Sequence, residues 1–132
     1  ITINDIHLTK IQINKLLEMG HSIGAHSHSH ISVASSKLSK LELNRELIEP
    51  KKILESEFNT NVISMSYPFG ELKDCLSAQS LIQKTNTYEL AFTIDHKLNT
   101  KNISPLEIGR YMVHSSDNSN KLNKILKNNQ IS

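Results

Sequence analysis

The sequence predicts an α/β domain whose strands run parallel in a sheet or barrel wall, and three observations carry that prediction. Helix-period and strand-like segments alternate along the chain, the order that parallel strands with helical crossovers require. At 132 residues the chain forms one modest domain, large enough to bury roughly 65 to 70 per cent of its unfolded surface. A cluster of histidines directly follows a short apolar segment, the place where such folds gather functional side chains at the C-terminal ends of their strands.

Taken in order, Thr9 opens a helical pattern in which Ile13, Leu16 and Leu17 share a face. Gly20 follows Met19 where a helix commonly stops in a left-handed turn. His21 to Ala25 reads as a short buried strand. Ser39 and Glu42 have the spacing of a capping box, each satisfying an orphan backbone donor of the other, and an amphipathic pattern continues to Phe58. Pro50 interrupts it. A proline there lacks a backbone N–H and clashes with the preceding turn, so a kink near Glu46 to Glu49, or two consecutive helices, is expected. Val62 to Ser66 reads as a strand ending at the turn Tyr67-Pro68-Phe69-Gly70. A helix from Leu76 to Lys84, a strand from Glu89 to Thr93, a loop through Pro105, a strand from Arg110 to His114 and a helix from Ser119 to Lys127 complete the order.

The core must rest on Ile and Leu, because Trp is absent and Phe and Tyr number three each. The net charge is +2 and the lysines are scattered among acids, which argues against a nucleic-acid partner. Lys121, Lys124 and Lys127 read as the solvated side of the last helix. Cys75 is the single cysteine, so no intrachain disulfide can form. No apolar run approaches the roughly 18 residues of a membrane span, and no signal-peptide pattern opens the chain. The first residue is Ile rather than Met, so further sequence upstream is expected.

Three histidines stand at alternate positions in His26-Ser27-His28-Ser29-His30. In an extended strand His26 and His30 would lie about 13 Å apart, at roughly 3.3 Å per residue, too far to share an ion comfortably. In a helical turn the same spacing brings their Cβ atoms to about 6 Å, within reach of one metal. The segment is therefore expected to curl, with His28 facing away. His7, His21 and His96 stand alone and read as surface or hydrogen-bonded histidines. Two histidines do not complete a catalytic zinc site, which ordinarily has three protein ligands. Of the aspartates Asp5, Asp74, Asp95 and Asp117, none follows a clear strand as a third ligand would.

The run Gly20 to His30 resembles the second motif of the polysaccharide deacetylases, the NodB-homology or carbohydrate esterase family 4 enzymes, written His-Ser/Thr-x-x-His-Ser/Thr. His26-Ser27 and His30 match it, while Ile31 replaces the last hydroxyl residue. Pro68-Phe69-Gly70 resembles the third motif, Arg-x-Pro-Tyr/Phe-Gly. Ser66 stands at the arginine position, as in the branch acting on biofilm-type exopolysaccharide. Tyr88 to Thr93, Leu98-Asn99, Pro105 and Arg110 resemble the later part of that branch. The first motif, Thr-Phe-Asp-Asp-Gly, which supplies a general base and a metal ligand in the family, does not occur in this sequence. The resemblance thus implies a partial or distorted (β/α) barrel lacking its first strand or strands, and a single domain over residues 1–132 that is the C-terminal part of a deacetylase catalytic domain.

What the resemblance implies about function is metal-dependent hydrolysis of N-acetyl groups from an N-acetylglucosamine-containing polysaccharide, with this chain inactive by itself. His26 and His30 would hold a divalent ion, zinc first, with cobalt or nickel as alternatives. The backbone N–H of Phe69 would stabilise the oxyanion, Tyr67, Pro68 and Phe69 would contact substrate, and His114 is the late histidine available as general acid. Arg110 would orient a carboxylate or cap a strand. A polysaccharide substrate implies a periplasmic, cell-envelope or secreted protein. The alternatives are a non-catalytic carbohydrate- or metal-binding relative, and a metal carrier using the histidine cluster.

Overall fold

The computed structural model describes residues 7–97 and 99–128. Asp5 and Leu98, and the side chain of Asp74, lie outside the described residues. Helix α1 (Lys10–Glu18) starts on Thr9, whose side chain accepts the Gln12 N–H while Gln12 Oε1 accepts the Thr9 N–H at 2.8 Å. It ends at Met19, and Gly20 at φ +86° takes the left-handed turn. The Ser39/Glu42 capping box forms as expected and opens α2 (Lys40–Leu47). Pro50 has the expected effect: α2 ends, and α3 (Glu49–Phe58) starts anew with the proline in its first turn, where the missing N–H costs nothing. Asn59, at φ +46°, closes α3 in the left-handed region that asparagine tolerates better than most residues.

Strand β1 (Ser64–Ser66), helix α4 (Leu72–Thr85) and strand β2 (Leu90–Phe92) form a βαβ unit, with β1 and β2 parallel in the register Met65 to Ala91. Two further segments join in parallel through single bridges, Ala25 to Met65 on one side and Ile108 to Phe92 on the other. Four chain segments therefore lie side by side in the order Ala25, β1, β2, Ile108. The expected strand His21–Ala25 is reduced to its last residue. Gly24 explains how closely it approaches: a Cβ there would meet Ser64 Oγ at 2.8 Å. Ala25, Met65 and Ala91 are buried along the array, packed with Leu47, Val62, Ile82 and Tyr88 from the surrounding elements. The last helix, α5 (Ser119–Asn128), carries Lys121, Lys124 and Lys127 exposed as expected.

Two expectations need correction. Helix α4 starts at Leu72 rather than Leu76, with Glu71 at its N-cap position. The strand expected from Arg110 to His114 does not form. Its place beside β2 is already taken by Ile108, which receives the Thr93 N–H at 2.8 Å and donates to Ala91 O at 2.9 Å. The Asn99 side chain then clips Gly109 through both its N–H (2.8 Å) and its C=O (2.9 Å). Arg110 N–H turns to Asp95 O at 3.1 Å, so the apolar run Tyr111-Met112-Val113 leaves the sheet and is exposed.

Candidate metal and active site

The chain leaves the sheet at Ala25 and curls at once, but not as a helical turn. Ser27 (φ +61°) and His30 (φ +55°) are both left-handed, a conformation that non-glycine residues adopt only where their surroundings hold it. One hold is internal, the His30 N–H donating to Ser27 Oγ at 2.9 Å. The result brings the rings of His26 and His30 together, edge to face, with centroids 4.8 Å apart. The curl expected from the spacing is present; the helical geometry expected for it is not.

His26 Nδ1 lies 2.8 Å from Ser66 O and 2.8 Å from Ser66 Oγ, at the C-terminal end of β1. A carbonyl oxygen can only accept, so in the tautomer that bonds Ser66 O the proton sits on Nδ1 and Nε2 is the nitrogen turned toward a ligand; the Ser66 hydroxyl can serve either tautomer. This is the arrangement by which ligating histidines are usually oriented from behind. The His30 ring also meets Phe69, with centroids 5.2 Å apart. Phe69 is left-handed at φ +61° and 54 % exposed, at the tip of the turn after β1. The second histidine motif and the Pro-Phe-Gly turn, 38 residues apart between His30 and Pro68, thus form one surface.

Tyr67 and Pro68 sit beneath that surface. The Tyr67 side chain, expected against substrate, is 2 % exposed and its hydroxyl donates to Leu106 O at 2.9 Å. Burial, with Cys75 and Glu107 nearby, pushes its phenol well above the ordinary range. It braces the turn from the core and cannot touch a ligand outside. Pro68 is buried as well, leaving Phe69 as the exposed member of the three. Behind the turn, a Cβ on Gly70 (φ +69°) would meet the Ile94 side chain at 2.8 Å. Ile94, Arg110, Tyr111 and Met112 line a cavity of about 240 Å³ next to it. Arg110 donates from Nε to Thr93 O at 2.9 Å, just past the end of β2.

His114 lies apart, in an exposed turn where its N–H donates to Asp117 Oδ2 at 3.0 Å. Asp117 is paired with Lys121, and Asp95 with Lys97. Among the described residues no three His, Cys, Asp or Glu side chains come together as a metal group. His28 lies near Glu46, which its backbone N–H reaches.

Sequence reasoning missed Glu46. It is 5 % exposed on α2, and its Oε2 accepts the Ser29 N–H at 2.9 Å while Oε1 accepts from Ser29 Oγ. Desolvation pushes its carboxyl up, but the hydrogen bonds from Ser29 and the proximity of His28 outweigh this and hold it below the ordinary value. The sequence did carry a signal: Glu46 falls on the same helical face as Leu43 and Leu47, an acid inside an apolar stripe.

With this geometry in place, residues 3–91 match the family model for polysaccharide deacetylases. The chain belongs to the polysaccharide deacetylase family. Its fold is similar to that of the Streptococcus pyogenes deacetylase PplD, solved in complex with acetate, at a TM-score of 0.72 and 21 % identity over 90 % of this chain and 50 % of that one. A polysaccharide deacetylase from Bacillus cereus superposes with a TM-score of 0.71 at 21 % identity, over 90 % of this chain and 36 % of the other. A de-N-acetylase from Aggregatibacter actinomycetemcomitans gives 0.69 at 16 % identity, over 92 % and 54 %. The chain thus spans about half, or less, of the solved proteins it resembles, and at these identities the likeness establishes the fold. No curated protein sequence matches the chain. Among the described residues no helix is long and apolar enough to cross a membrane.

Proposed function

We propose that this chain is part of a metal-dependent deacetylase that hydrolyses N-acetyl groups of an N-acetylglucosamine-containing polysaccharide, with His26 and His30 as two ligands of one divalent ion. The observation that carries the reading is the edge-to-face pair of His26 and His30, with the Nδ1 side of the His26 ring held against Ser66 so that Nε2 is the nitrogen available to an ion. Two imidazoles suit zinc, with cobalt or nickel as alternatives, and the third ligand would be an aspartate of the family's first motif, which this sequence does not contain. Bound there, the ion would supply Lewis-acid chemistry to the amide and its attacking water.

The chain's own residues have separate tasks in this reading. Ser66 orients the His26 ring. The Phe69 N–H donates to the oxygen on which negative charge develops, a role its place at the exposed tip beside His30 supports. The Phe69 ring offers an apolar face to a sugar, with Tyr67 and Pro68 supporting it from below. His114 enters as the proton donor to the departing amine through its place in the chain alone. Ser66 at the arginine position favours an exopolysaccharide substrate. A polysaccharide substrate places the protein in the periplasm, the envelope or outside the cell.

The test is acetate release from N-acetylglucosamine oligomers by a longer protein carrying the Asp-Asp motif, supplied with zinc or cobalt. Release that falls at least about 100-fold in His26→Ala and His30→Ala is expected, because even losses around a metal site, outside its ligands, reach about 10- to 100-fold. No release from any such glycan overturns the reading. The 132-residue chain alone is expected to be inactive and to bind zinc weakly. Sub-micromolar binding by it in calorimetry would favour a metal carrier instead. An upstream sequence without the aspartate pair would favour a non-catalytic relative.

A further inference from the structure

We propose that Glu46 is a positioning residue for the histidine pair: its buried carboxylate grips Ser29, in the middle of the His26–His30 turn, and so sets the distance between the two rings. Glu46 is 5 % exposed, and burying a carboxylate is costly unless its oxygens are occupied. Both are, with Oε2 taking the Ser29 N–H and Oε1 the Ser29 hydroxyl, and the His28 backbone N–H also reaches the carboxylate. Among the described residues no Lys or Arg pairs with this carboxylate, so it serves the turn rather than an ion pair.

The grip comes from a rigid base. The Ser39/Glu42 capping box fixes the start of α2, and Leu47, the neighbour of Glu46, is 1 % exposed in the core. The turn it holds needs holding. Ser27 and His30 are both left-handed, and the bond between His30 N–H and Ser27 Oγ closes the turn only on itself. Ser66, at the end of β1, fixes the His26 ring at one end. Without Glu46 nothing described from outside the turn anchors its middle by a hydrogen bond, and His30 would be free to swing relative to His26. A sheet end and a helix thus hold the turn at two points and preset a pair of rings before any ion arrives.

That the rings are ligands rests on the function proposed above; that Glu46 sets their spacing does not. The experiment is therefore run first on the full 132-residue chain without metal. Nuclear Overhauser effects between the His26 and His30 rings, and hydrogen exchange at the Ser29 amide, are measured in the wild type, Glu46→Gln, Ser29→Ala and Ser29→Thr, with melting curves as the control for folding. Glu46→Gln keeps the volume but removes the charge and replaces one acceptor with a donor, so the charge-assisted bonds to Ser29 are weakened. Ser29→Ala, at an exposed position, removes the hydroxyl bond without threatening the fold, and Ser29→Thr restores it.

In folded Glu46→Gln we expect the ring-to-ring effects to weaken sharply and the Ser29 amide to exchange at least about tenfold faster. Ser29→Ala gives a smaller change of the same kind, and Ser29→Thr returns to the wild-type pattern. A subsequent cobalt titration is expected to show affinity about 10- to 100-fold weaker in Glu46→Gln, the usual effect of losing a group that orients a ligand. Unchanged ring contacts and Ser29 exchange in a folded Glu46→Gln overturn the proposal, even if the wild type binds cobalt well. Loss of ring contacts in a chain whose wild type binds no metal supports the tether and removes only the ligand reading.

Discussion

His26–His30 and His114 both follow segments of the same parallel array, on its opposite edges, and the fold treats them differently. At the Ala25 edge the chain passes from a sheet bridge to the His26–Ser66 bond within one residue, and Ser29 and His30 are held by Glu46 and Ser27. At the Ile108 edge the backbone is clipped by Asn99 and Asp95 at Gly109 and Arg110, after which three exposed apolar residues separate it from His114. The contrast shows that nearness to a strand end does not by itself fix a histidine in place. What does is the number of separate elements that fix the backbone and ring around it.

Leu47→Ala removes a core side chain from the helix that carries Glu46 and should cost about 2 to 5 kcal/mol in urea unfolding, whereas Val113→Ala on the exposed run should stay within about 0.5 kcal/mol. Equal costs would mean that the two edges are equally embedded. In zinc titrations of the chain, His26→Ala or His30→Ala should lower affinity about 100-fold or abolish it, and His114→Gln should leave it within about twofold. In the longer protein, His114→Gln should instead depress turnover and remove the limb of the pH profile that reports the proton donor.

A smaller effect is expected at Gly24. A methyl group there would press on Ser64 Oγ at 2.8 Å and Ser64 O at 3.1 Å, so Gly24→Ala should cost about 1 to 3 kcal/mol and loosen the His26–Ser66 bond. The smallest effect is electrostatic. Because the folded protein holds the Glu46 carboxyl below its ordinary value of 4.5, its contribution is present above that pH and is lost as pH falls through the folded value. Wild type should therefore exceed Glu46→Gln in stability at about pH 6, and the gap should shrink by about pH 3. A gap that is constant with pH would mean that Glu46 acts by shape alone.

Much of this was legible in the sequence where a local rule decides the outcome. Thr9, Ser39 with Glu42, and Pro50 each act through bonds within one helical turn, and each marks a boundary that the structure keeps. The parallel order of strands followed from alternation. The strand expected at Arg110–His114 failed because a run of apolar residues does not reveal that Ile108 has already filled the edge of β2. The histidine pair was legible from its spacing, but the left-handed Ser27 and His30 were not, since the turn that contains them is bonded to Ser66 and Glu46, 40 and 17 residues away from the residues they meet. The resemblance implies that Tyr67 contacts substrate, yet its side chain is buried. Its burial depends on a carbonyl at Leu106 that no local pattern indicates.

In the proposed site His26 and His30 share one ion, and His28 and His114 take no part in it. Following the imidazole ¹⁵N resonances of the full chain through a zinc titration tests it directly. Nε2 of His26 and one ring nitrogen of His30 should shift together toward a single equivalence point, with His26 Nδ1 remaining protonated against Ser66 and the other histidines unmoved. If His26 and His30 respond with different stoichiometries, or His28 moves in place of either, the shared site does not exist.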